Sequence, residues 1–175
     1  MEKIYNKLEI RELESNSLSL VCKVNDYSLS KELRGKNGTF RELVPKETWE
    51  KAINDNIKFY YNHKPYFELG ASAELRAKDD GVYLYAKLKE NEKGLYNAVK
   101  DGLITGMSFG FKCLKDKWED NGNFKQRTIE DMELLEVSIL DKEPAYFGTS
   151  AETRNLHIPI NLSIMKKRLE LYKLL

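Results

Sequence analysis

The chain has 175 residues, 41% of them hydrophobic and 33% charged, and a formal net charge of +1. That is enough for one domain with a proper core, and so even a charge balance gives no global attraction to nucleic acid or to an anionic membrane. No apolar run reaches the length of a transmembrane helix, and the N-terminal MEKIYNKLEIRELE lacks the apolar centre of a signal peptide. The two cysteines, Cys22 and Cys113, have no C-x-x-C partner and read as reduced core thiols of a cytosolic protein. There is no P-loop, dinucleotide fingerprint or metal-ligand cluster, so no metal or organic cofactor is expected. Only two histidines, His63 and His157, are available as bases near neutral pH.

In chain order, SLSLVCKVNDYS (17–28) has the apolar run of a buried strand, and LRGKNGTFREL after it reads as a loop. VPKETWEKAI (44–53) predicts a short helix, with Pro45 at its first position and Trp49, Ala52 and Ile53 on one face. IKFYYNH (57–63) predicts a strand that ends at His63, and SAELRAKDDGVYLYAKLKE a hairpin turning at Gly81. EKGLYNAVKDG (92–102) predicts a helix capped by Gly102. LITGMSFGFKCLKDKW (103–118) is strand-like, Asn121-Gly122 is a turn, FKQRTIE is the returning strand, and MELLEVSIL (132–140) is a further strand. DKEPAYFGTS is a loop, and LSIMKKRLELYKLL predicts an amphipathic C-terminal helix with Ser163 as N-cap. Six to eight strands, about three helices and no regular β-α alternation favour an α+β fold, a mainly antiparallel β-barrel or sandwich with surrounding helices, over a doubly wound sheet. The domain is expected over 1–160, with the helix of 161–175 packed on it or forming a subunit contact.

GMSFG (106–110) spells G-x-S-x-G, the signature of the nucleophile elbow of α/β-hydrolases. An elbow needs a strand before the serine and a helix after it, and here a helix precedes Ser108 and a hairpin follows. A strand reading puts Met107, Phe109 and Phe111 on a core face and Gly106, Ser108, Gly110 and Lys112 on the other. Ser108 then stands between two residues without side chains, which opens it to a peptide carbonyl. In MELLEVSIL, Leu135, Val137 and Ile139 point one way and Glu136 and Ser138 the other. A carboxylate in so apolar a strand needs a partner.

These stretches combine into a resemblance. GTFRELVPKETWEKAI, then YYNHKPYFELGASAELRAKDDGVYLYAKL, then VKDGLITGMSFGFK, RTIEDMELLEVSIL and EPAYFGTSAETR resemble the prohead (capsid maturation) serine proteases of tailed bacteriophages over residues 18 to 154. The resemblance implies a barrel similar to that of the herpesvirus assembly proteases. It implies a catalytic set of Ser108 as nucleophile, His63 as base and Glu136 as acid, with Asp141 or Glu133 as substitutes for the acid. It implies cleavage of scaffolding protein, or of the scaffolding segment of the major capsid protein, and of the enzyme itself. The setting it implies is the procapsid interior in the bacterial host cytoplasm, with self-association as an option and neither nucleic acid nor membrane as a partner. The loop EPAYFG (143–148) is the expected source of oxyanion donors, with Arg154 or Arg127 assisting through a water, and Lys112 offers a Ser-Lys dyad. Lys64 and the aromatic residues after it depart from the family's usual Asp after the histidine, and the tail after Arg154 is shorter than in many members. The alternatives are a non-catalytic assembly or scaffolding module with the same fold, and an esterase-like hydrolase using Ser108, Asp141 and His157.

Overall fold

The computed structural model describes residues 18–35, 38–141, 145–146 and 148–153. Within them the chain is mainly β, in two sheets. The smaller is antiparallel throughout. Its strands are β1 (Ser19–Asn25), β6 (Ser72–Lys78), β7 (Gly81–Lys87) and β10 (Ser150–Thr153), in the order β10-β1-β7-β6. The β6–β7 turn requires its glycine: Gly81 has φ +149°, and any Cβ there would collide with the Asn25 carbonyl.

The larger, curled sheet is built on β9 (Lys125–Leu140). One edge of β9 pairs antiparallel with β8 (Gly106–Asp120) along nearly the whole of both strands. The other edge takes two short strands, both parallel to it. β3 (Gly38–Leu43) pairs with residues 125–128, and β4 (Lys58–Tyr61) pairs with residues 136–139. Between them runs helix α1 (Lys46–Ala52), which covers the stretch of this edge of β9 that neither short strand reaches. There the Thr48 hydroxyl donates to the Ile129 carbonyl at 2.8 Å, supplying the donor that a neighbouring strand would have given. β2 (Leu33–Gly35) and β5 (Lys64–Glu68) close the two outer positions.

The interior lies on the inner faces of these strands. Trp49 of α1 is fully buried and meets Phe109 of β8 edge-on at 4.6 Å, beside Phe59, Val137 and Ile139. Helix α2 (Lys93–Lys100) buries Tyr96, Ala98 and Val99, and Gly102 after it adopts φ +69° as its C-terminal signal predicts.

Several expectations are revised. The stretch read as a loop at 33–43 is the hairpin β2–β3, and RTIE and MELLEVSIL are one continuous strand of 16 residues. Two of the three pairings of β9 with its neighbours on that sheet are parallel, so the barrel expected to be antiparallel is mixed here. Leu135 does not share the core face of Val137 and Ile139. Register runs from Gly110↔Glu136 to Phe111↔Leu134, which leaves Leu135 as the extra residue of a β-bulge. It is 50% exposed, and the core positions beyond the bulge are Leu134 and Met132. Residues 161–175, and with them the expected C-terminal helix, lie outside the described residues.

Candidate active site

Ser108 sits on β8 between Met107 and Phe109, both buried in the core, and so projects from the opposite face. Register places it directly across from Ser138 of β9, and Gly110 directly across from Glu136. Opposed residues of an antiparallel pair share a face, with Cα atoms about 4.5–5.5 Å apart. On the far side of β9, Tyr60 of β4 pairs with Ser138 and Lys58 with Glu136.

His63 arrives by a tight turn. Tyr61 of β4 pairs with Lys64 of β5, leaving Asn62 and His63 as a two-residue loop with φ +53° and +59°. Left-handed geometry at both central positions is that of a type I′ hairpin, and Asn and His are among the non-glycine residues that tolerate it best. The Asn62 amide donates to the Ile139 carbonyl at 3.0 Å, and its side-chain oxygen accepts the Asp141 amide at 3.2 Å. The turn is thereby fastened to the end of β9, and His63 is folded back over that strand.

Three hydrogen bonds organise what lies beneath. His63 Nδ1 is 2.7 Å from Glu136 Oε1. The Ser138 hydroxyl donates to Glu136 Oε2 at 2.5 Å, and its oxygen accepts the His63 amide at 3.1 Å. Against a carboxylate, Nδ1 carries the proton and Nε2 keeps its lone pair, which is the tautomer a general base needs. The Glu136 side chain is 11% exposed and the His63 ring 38%, so the carboxylate is enclosed and the imidazole reaches solvent. Gly110 makes the enclosure possible, because a Cβ there would fall on the Glu136 carboxylate. The missing side chain makes room for the acid.

No hydrogen bond joins Ser108 to His63, and the Ser108 hydroxyl has no hydrogen-bond partner among the described residues. His63 and Glu136 are joined, and Ser108 stands one strand away, across from Ser138. Catalytic hydrogen bonds are often long in a free enzyme and close when substrate binds.

A family model described as caudovirus prohead serine protease matches residues 6–160. The chain belongs to that family. It is similar to the prohead protease of Escherichia phage T5, 24% identical over 153 residues that cover 78% of this chain and 69% of the phage T5 protein. Family membership makes the chain one of a group of serine peptidases, and the strand that runs on past Ser108 removes the elbow reading of GMSFG.

The other candidates are occupied elsewhere or lie outside the described residues. Asp141 accepts the Tyr61 hydroxyl at 3.0 Å. Burial, followed by that bond, pushes the Tyr61 phenol up to about 12. Glu133 lies 3.9 Å from Lys112, whose side chain is 67% exposed, and among the described residues no hydrogen bond joins Glu133 to His63 or Lys112 to Ser108. Arg127 is not at the site. It pairs with Trp118, ten positions along β8 from Ser108, and holds Asp116 and Glu42 at 2.6 and 3.1 Å. Tyr146 completes that cluster, its hydroxyl donating to Glu42 at 2.8 Å and its ring packing 5.3 Å from Phe109. Of the loop expected to supply oxyanion donors, Ala145, Tyr146 and Gly148 are described, and the Ala145 carbonyl accepts the Lys31 amide. Arg154 and His157 lie outside the described residues. Ser138 was not among the expected site residues. Its signal was its place two residues after Glu136, on the same face of a strand, where a small hydroxyl can reach the carboxylate.

Proposed function

We propose that this chain is the serine endopeptidase of prohead maturation, with Ser108 as nucleophile, His63 as general base and Glu136 as the acid that orients it. The observation that carries the reading is the 2.7 Å contact between His63 Nδ1 and Glu136 Oε1, on the face of the sheet from which Ser108 projects one strand away. A free serine is a weak nucleophile and needs a base. As Ser108 Oγ bonds to the scissile carbonyl carbon, its proton passes to His63 Nε2 and the carbonyl electrons move to oxygen. Glu136 stabilises the imidazolium across Nδ1 without taking its proton. Collapse of the tetrahedral intermediate breaks the C–N bond, and the leaving amine takes the proton from Nε2. Water then repeats the sequence on the acyl-enzyme.

The substrates are the scaffolding protein, or the scaffolding segment of the major capsid protein, and the protease itself, cleaved inside the procapsid. The similarity to the phage T5 prohead protease supports a capsid-assembly setting for the reaction. The mixed, curled sheet with its serine and histidine on elements flanking one strand is compatible with a barrel of the herpesvirus assembly-protease kind.

The test is co-expression with the cognate capsid protein. Wild type trims it, and Ser108→Ala and His63→Ala do not, whereas His157→Ala does. Trimming by Ser108→Ala would sink the protease reading and leave a non-catalytic assembly module. Loss in His157→Ala with retention in His63→Ala would move the base.

A further inference from the structure

Ser138 is fully buried, with 0% of its surface exposed, yet both polar roles of its hydroxyl are used. The oxygen accepts the His63 amide. That amide is itself a donor, so the hydroxyl proton is free to go only to Glu136 Oε2. The result is a closed ring of hydrogen bonds that starts and ends on one residue: His63 backbone to Ser138, Ser138 to Glu136, Glu136 to the His63 ring. Each carboxylate oxygen has its own partner, so the carboxylate cannot rotate without losing one of them.

We propose that Ser138 is a positioning residue for catalysis, a hydroxyl that couples the acid to the backbone of the base. The proposal rests on the reading of His63 and Glu136 given above. The ring explains how an imidazole carried on a two-residue loop is held in register with a strand. The loop alone fixes the Cα of His63. The amide bond to Ser138 fixes its peptide plane, and the carboxylate, oriented by the same Ser138, fixes the ring. Burial keeps Ser138 from acting as a nucleophile itself, and its proton is already committed. Ser108 stands directly across on β8, and its hydroxyl has no hydrogen-bond partner among the described residues.

Two measurements test this. In peptide cleavage, Ser138→Ala should lower kcat about tenfold or more with KM changed less than about twofold, and Ser138→Thr, which restores the hydroxyl, should recover most of the loss. In a Ser108→Ala background, the Nδ1 proton of His63, bonded to a carboxylate, should give a far-downfield proton resonance. Ser138→Ala should broaden or abolish it, and Ser138→Thr should keep it. If Ser138→Ala does not fold, Ser138→Cys, close in size but a poor donor, goes through the same pair of measurements. An unchanged resonance with unchanged kcat overturns the proposal. So does a loss of kcat that threonine fails to restore while the resonance persists, since that is the mark of a packing defect. The resonance needs no turnover, so it reports on the ring even if trimming by Ser108→Ala has refuted the protease reading.

Discussion

Gly110→Ala isolates the placement of Glu136 from the stability of the fold. Gly110 has no left-handed φ, so alanine is conformationally permitted, and the substitution reduces the freedom of the unfolded chain by about 0.4–1 kcal/mol. The new methyl, however, would overlap the Glu136 carboxylate and stand only 3.1 Å from its Cδ and 3.2 Å from its Cγ. The obstacle is the end of a flexible side chain, so the carboxylate retreats while the sheet stays. A retreat of about 1 Å suffices to restore van der Waals contact. It takes Oε1 away from Nδ1 and Oε2 away from the Ser138 hydroxyl. A hydrogen bond to a charged group is worth about 1.5–3 kcal/mol, which at about 1.4 kcal/mol per decade is a ten- to hundredfold loss of kcat. The assay pairs peptide-cleavage kinetics with a thermal melt. The expected result is a large fall in kcat with the fold retained and a melting temperature no more than about 8 °C below wild type. Wild-type kcat/KM in folded Gly110→Ala would refute the idea that this glycine exists to admit the acid, and a collapse of the fold would show that the sheet, not the carboxylate, is what yields.

Two further predictions concern parts of the molecule remote from the chemistry or at its margin. Thr48→Val keeps the shape of a buried side chain but leaves the Ile129 carbonyl without its donor, so stability should fall by about 2 kcal/mol and the melting temperature by about 6 °C, with kcat unaltered. Tyr61 has a folded-state pKa raised to about 12 by burial and by its bond to Asp141, against an ordinary value near 10. Its contribution to stability is therefore complete below pH 10 and is lost as pH rises through 12. Tyr61→Phe should remove one late step from the phenolate absorbance titration and flatten the pH dependence of stability over that window. An unchanged titration would contradict the assignment.

The site was legible where side chains alternate with the pleat and illegible where pairing between distant strands decides. The core face of Met107, Phe109 and Phe111 and the outward face of Ser108 follow from a two-residue period that local sequence displays. Glu136 was legible because a carboxylate amid Leu, Val and Ile needs a partner. Leu135 misled for the same reason that it is apolar. The bulge that expels it is imposed by the register against β8, and nothing in MELLEVSIL announces it. The parallel pairings of β3 and β4 with β9 were equally hidden, since turn chemistry reports hairpins but is silent on strands joined by a helix. The left-handed turn that carries His63 did leave a trace, the dipeptide Asn62-His63 between two aromatic-rich strands. Its meaning depended on β9 lying underneath.

The position of β9 in the chain also sets when the site comes into being. His63 and its carboxylate partner are separated by 73 residues of sequence, and Thr48 and the carbonyl it satisfies by 81. Contacts so remote in sequence place the fold among those that assemble slowly. As a ribosome releases the chain, Ser108 and His63 both emerge before β9, the strand that carries Glu136 and Ser138. A nascent chain that has not yet delivered Ser138 carries a serine and a histidine with no geometry between them.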